Sequence, residues 1–230
     1  MIVPIFAIRP EPGCSATVEA GRRMGLAMHG CPLFEVRPVT WDPPPADRID
    51  GLLLGSANAL RQAGPGLEAF RSKRAFAVGA ETARAAEAAG LTVAAVGEDG
   101  LQALLATLRP PLKLLRLAGE EHVPLTRPPG IAVETRVAYR AIALPTPEAL
   151  SAAMGGGGVV LLHSAAAARH FAAECARVGI PRAAIALAAL GPRIATAAGG
   201  GWRELRSADE PRDAALLALA RDMCHEPRPG

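Results

Sequence analysis

One stretch of this chain occurs twice. Leu52-Leu53-Leu54-Gly55-Ser56-Ala57-Asn58-Ala59 is echoed by Val160-Leu161-Leu162-His163-Ser164-Ala165-Ala166-Ala167. A second pair, Gly79-Ala80-Glu81-Thr82-Ala83 and Gly191-Pro192-Arg193-Ile194-Ala195, follows at nearly the same offset. The second offset then carries Glu98 onto Glu210 and Ala103-Leu104-Leu105 onto Ala215-Leu216-Leu217 without a gap. Coincidence within alanine-rich helices is the alternative to a true duplication. In each copy an apolar run stops at small residues that open a helical pattern. Such a repeat restricts the fold to two similar units.

The class of those units follows from the rhythm of the chain. Apolar runs at Ile5 to Ile8, Leu33 to Val39, Leu52 to Leu54, Ala75 to Val78, Leu91 to Val96, Lys113 to Leu117, Val159 to Leu162 and Ile185 to Leu190 read as strands. Helical patterns over Ser15 to Leu26, Gly100 to Leu108, Ala165 to Val178 and Ala214 to Met223 separate many of them. Glu134 to Leu144, with Tyr139, reads as an extended segment. Strand–helix alternation predicts parallel sheets. Aromatic residues make up only 3% of the 230 residues, so the cores must be built from Ala, Leu, Val and Ile. That composition suits helices on buried parallel strands.

Charge and composition remove several functions. The net charge of +3 is small, and there is neither a basic stripe nor an aromatic platform, so nucleic acid is not the expected partner. No apolar run is long enough for a membrane span, and the first residues do not read as a signal peptide. Cys14, Cys31, Cys175 and Cys224 are scattered and read as free thiols of a reducing, cytoplasmic compartment. His29, His122, His163 and His170 lack metal-ligand spacing, so no metal is expected. No glycine-rich loop is followed by the Lys-Ser/Thr of a phosphate loop, and no serine nucleophile elbow is present.

Each copy should end its strands at helix N-termini, where free N–H groups and the helix dipole favour anions. Ligands of open α/β sheets bind at these carboxyl ends. Two such rims could hold a large anion from both sides.

Arg9-Pro10 after the first strand, Ser56-Ala57-Asn58-Ala59, Gly79 with Thr82-Ala83, Tyr139, Ser164, and Gly191 with Ala195 stand in order along nearly the whole chain. In that order and spacing they resemble the sparse pattern of the uroporphyrinogen-III synthase family. Ile194 departs from it, standing where a second Thr is usual, and His163 stands where Thr is common. The resemblance implies two similar flavodoxin-like parallel-sheet domains joined by a two-segment extended linker. One domain would be discontinuous, 1–37 plus 144–230, and the other would be 38–143 with the linker segments. Pro38 to Pro45 and Tyr139 to Pro145 fit the crossings.

The family's activity is the cyclisation of hydroxymethylbilane, a linear tetrapyrrole rich in carboxylates. The reaction loses water and inverts the last pyrrole ring, and it needs no cofactor. By resemblance, Tyr139 is the candidate catalytic acid, and Arg9, Ser56, Asn58, Thr82, Ser164 and Arg193 are candidates for binding substrate carboxylates. Each has a structural alternative: an N-cap for Ser56, Thr82 or Ser164, a turn residue for Asn58, an ion pair for Arg9, a solvated helix start for Arg193, and a buried hinge anchor for Tyr139. A monomer is expected. Rival functions are a non-catalytic two-lobed ligand-binding protein and a degenerate paralogue without activity.

Overall fold

The structure, a computed structural model, describes residues 3–225. The chain opens with β1 (Ile5–Ala7), α1 (Gly13–Arg23), β2 (Met28–Gly30) and β3 (Phe34–Pro38). Then come β4 (Gly51–Leu54), α2 (Ala57–Arg61), β5 (Arg74–Val78), α3 (Ala80–Ala88), β6 (Thr92–Gly97), α4 (Leu101–Thr107), β7 (Leu112–Gly119) and β8 (Ile131–Ala143). The last part holds α5 (Glu148–Met154), β9 (Gly158–Leu162), α6 (Ala165–Val178), β10 (Ile185–Ala189), α7 (Pro192–Ala198), β11 (Glu204–Ser207) and α8 (Asp213–His225). Two compact units divide it. Unit 1 runs to Glu35 and resumes at Ile142, and unit 2 is Val36–Ala141.

The sheet of unit 1 has the order β11-β10-β9-β1-β2. Its ladders are parallel, with Ile5 facing Met28 on one side and Val159 on the other. Counted along this unit the strands run 2-1-3-4-5, the flavodoxin-like order. Both faces are covered. Phe6, Ile8, Val160, Leu162 and Leu187 meet Phe171 and Cys175 of α6. Ile5, Ala7, Val159 and Leu161 meet Val18 of α1 and Leu216 and Leu217 of α8. Strands β9 and β10 are buried at every position, which explains their unbroken apolar sequence.

Unit 2 has the order β3-β8-β7-β4-β5-β6. Its five strands from β6 to β8 are arranged as β11 to β2 are in unit 1. The chain order differs, because β7 and β8 come last where β1 and β2 come first. The repeated peptides close the corresponding central strands, β4 and β9. Leu52, Leu54, Leu115 and Leu117 pack under α2 and α3, while Leu53, Phe76 and Leu114 meet Leu104 and Leu105 of α4. No helix lies between β7 and β8, where unit 1 has α1 between β1 and β2.

The stretches expected as extended crossings adjoin this sheet: β3 ends at Pro38, where the first begins, and β8 carries the second as far as Ala143. β3 forms its edge, and β8 pairs with β7 from Ile131 to Tyr139. Tyr139 is therefore held on a hydrogen-bonded ladder. Strands β2 and β11 and helix α5 go beyond the sequence reading. The two strands are short sheet edges with partly polar side chains, so neither shows the apolar run of a central strand. The first helix also begins two residues earlier than Ser15, at Gly13.

Candidate active site

In unit 2 the sheet order reverses at β4, whose neighbours β5 and β7 lie on opposite sides. A cavity of about 310 Å³ opens there, lined by Ser56, Gly100, Arg116, Gly119, His122 and Tyr139 among others. This is the carboxyl-end crevice where open α/β sheets take ligands.

Tyr139 reaches that crevice because a register shift follows Ala118 and sets Gly119 beside it. The Tyr139 carbonyl accepts from Glu120 N at 2.9 Å, which fixes the backbone. Its ring covers Gly119 so closely that a Cβ there would stand 2.8 Å from Cζ and 3.1 Å from the phenol oxygen. Ser56 N-caps α2 in extended conformation, with Oγ accepting from Asn58 N at 3.2 Å. The hydroxyl can still donate its own proton towards the cavity.

Arg116 is the residue that sequence reasoning missed. It stands in an apolar strand, in line with Leu112 and Leu114 on the α4 face, and is only 6% exposed. One terminal nitrogen donates to Val123 O at 2.8 Å, and Nε has no partner. No carboxylate pairs with it among the described residues. Burial pulls the guanidinium pKa below its ordinary value, against an opposing effect of Tyr139. The available signal was a lone charge inside Leu114-Leu115-Arg116-Leu117.

In unit 1 the corresponding rim carries a polar cluster. Arg9 N–H groups donate to both Asp213 carboxylate oxygens at 3.1 and 3.0 Å and reach Thr17 Oγ1 at 3.4 Å. Thr17 donates to Asp213 at 2.7 Å. His163 Nε2 stands 3.2 Å from Asp213 in poor hydrogen-bond alignment, and its Nδ1 has no partner. Gly13, at the start of α1, leaves room for the Arg9 guanidinium, since a Cβ would lie 2.5 Å from Nε. Burial pushes the Asp213 carboxyl up, but the facing His163, Thr17 and Arg9 outweigh it and hold the pKa at about 2. Burial pulls the His163 imidazole pKa below its ordinary value, against the opposing effect of Asp213. Asp213 and Thr17 were also missed, because nothing in sequence ties an acid at the last helix to the first strand.

The remaining candidates are scattered. Ser164 N-caps α6 through Ala167 N at 3.1 Å. Asn58 Oδ1 accepts from Arg61, which pairs with Glu81 on the α2–α3 surface. Thr82 is 5% exposed, on the inward side of α3. Arg193 is exposed at the second position of α7, and Ile194 packs against the unit 1 core. Asn58, Thr82 and Arg193 do not line the unit 2 cavity.

The model of the family described as Uroporphyrinogen-III synthase HemD matches residues 15–218. The chain belongs to this family. No curated protein matches it. Among solved structures it is similar to uroporphyrinogen-III synthetase from Helicobacter pylori, at 16% identity and a TM-score of 0.63, over 97% of this chain and 100% of that one. It is also similar to a mutant uroporphyrinogen III synthase from Thermus thermophilus, at 19% identity and a TM-score of 0.52, with the same coverage. At these identities the synthase structures show the two-lobed fold. Of the residues that carry the synthase pattern, Ser56 and Tyr139 meet in the unit 2 cavity. Arg9 and Ser164 lie at the carboxyl end of the unit 1 sheet. No helix among the described residues is long and apolar enough to cross a membrane.

Proposed function

We propose that the protein cyclises hydroxymethylbilane to uroporphyrinogen III with loss of water and inversion of the last ring. Family membership supports the substrate class. The observation that carries the reading furthest is the Tyr139 phenol, set on Gly119 in a sheet crevice whose lining also includes Ser56 and Arg116.

The substrate is reactive by itself, so the protein's work is positioning and conformational control. Tyr139 donates a hydrogen bond to the terminal hydroxyl and assists its departure as water. The azafulvene cation left behind is attacked by the substituted carbon of the last ring. The resulting spiro intermediate opens, the ring recloses in inverted orientation, and a proton is lost. Backbone N–H groups and hydroxyls at the unit 2 crevice hold carboxylates during these steps.

The test supplies hydroxymethylbilane to the protein, oxidises the products and resolves the isomers. Type III product is expected. Type I product alone, as in the protein-free control, sinks the reading. That outcome would favour a degenerate paralogue.

A further inference from the structure

A buried guanidinium normally has a counter-ion, because removing it from water is costly unless a charge repays it. Arg116 has none in its own unit. It is 6% exposed, its Nε is unpartnered, and its one hydrogen bond goes to the neutral carbonyl of Val123. Arginine stays protonated in proteins, so the charge is not relieved by titration. The space next to it is the unit 2 cavity, with Tyr139 as neighbour.

The topology explains how the site arises. Leu112 and Leu114, on the same face of β7, pack against α4. Arg116 lies one step further along that face. The crossover from β7 to β8 is a loop, so no helix carries the apolar cover over this end of the strand. The loop supplies Glu121, His122 and Val123 to the cavity wall. Glu121 is exposed at that wall and makes no ion pair with Arg116.

We propose that Arg116 is the charged anchor of a carboxylate-binding pocket, receiving one acetate or propionate side chain of the ligand beside Tyr139. The guanidinium fork suits a planar carboxylate. The ligand's identity as a carboxylated tetrapyrrole rests on the function proposed above, whereas the need for an anion does not. Arg116 thus orients the substrate relative to the phenol and is a binding residue.

The test uses the full chain. Wild type, Arg116→Met and Arg116→Lys are titrated by calorimetry with uroporphyrinogen III kept reduced under nitrogen, and each is also melted without ligand. Arg116→Met should bind roughly 10- to 100-fold more weakly, as expected for a lost hydrogen bond to a charged group, and Arg116→Lys should recover part of the loss. The ligand-free Met variant should melt no lower than wild type, because an uncompensated buried charge has been removed. Equal affinity in wild type and Arg116→Met, or no binding by wild type, overturns the proposal. A Met variant that melts well below wild type also overturns it, since Arg116 would then be structural. So does strong coupling between Glu121→Gln and Arg116→Met in the melting temperatures, which would make Glu121 the counter-ion. Wild type that binds through Arg116 but yields only type I product removes the synthase reading and leaves the pocket standing.

Discussion

The ring of Tyr139 rests on the backbone of Gly119, with no space for even a methyl group between them. This contact joins two neighbouring strands at the cavity mouth and sets where the phenol can lie. Gly119→Ala should therefore displace the ring while leaving the fold intact, since the clashing atoms are the free end of a side chain. We expect a melting temperature close to wild type and slower turnover. The double variant with Tyr139→Phe should be no slower than the slower single variant, because both changes remove one interaction. Additive losses in the cycle would separate the two residues.

Tyr139→Phe alone removes the donor and keeps the ring. Turnover should fall roughly 10- to 100-fold, below the upper range for general acids because the substrate ionises unaided. KM should be little changed. Single-turnover assays on hydroxymethylbilane check this, and unchanged turnover removes the acid role.

Asp213 holds Arg9, Thr17 and His163 at the carboxyl end of the unit 1 sheet. Its native pKa of about 2 lies below the ordinary value of 3.8. The linked stability is therefore fully present above about pH 4 and is lost as pH falls towards 2. The side chain is 39% exposed, so solvent screening reduces the contribution to about 1–2 kcal/mol. Asp213→Asn should lose that amount at pH 7, and denaturant midpoints of the two proteins should converge near pH 2. A constant gap across this range would refute the linkage.

Ile194 is half-buried against the unit 1 core, at the place where the family pattern carries a hydroxyl. Ile194→Thr should cost about 1 kcal/mol in lost packing. Turnover should stay unchanged, because the side chain is committed to the core. A large gain in rate would show that the missing hydroxyl limits this protein.

Glu174 joins α6 to the chain after β8. Buried at 7% exposure, it accepts from Thr146 N and from two Arg177 nitrogens, and these bonds hold its pKa at about 2. Glu174→Gln should cost about 1–3 kcal/mol, the range for hydrogen bonds to a buried charge. Chemical denaturation measures it.

The central strands were legible because burial on both faces demands unbroken apolar runs, as in Val159 to Leu162. The repeat located the helix starts, and Ser56 and Ser164 are N-caps in equivalent places. The edge strands of unit 1 were not legible, whereas β3 and β6 at the edges of unit 2 were. Met28-His29-Gly30 has no pattern that separates it from a loop. The site divided in the same way. Tyr139 and Ser56 could be named because they sit in a recurring pattern. Arg116 belongs to no repeat, and its meaning depends on a counter-ion being absent in three dimensions. The partnership of Arg9 with Asp213 links opposite ends of the chain, and local spacing carries no trace of it.

The placement of β1 and β2 at one end of the chain and β9 to β11 at the other has a consequence during synthesis. Residues 36–141 leave the ribosome with all of the strands from β4 to β7 and nearly all of β8, and their first and last strands, β3 and β8, are sheet neighbours. That unit can close while the rest is still being made. Until β9 emerges, β1 has only β2 to pair with, and strands of three residues each cannot hold alone. Strand β1 therefore waits longest for its sheet. Meanwhile the apolar faces of Phe6 and Ile8 stay exposed until the last third of the chain arrives.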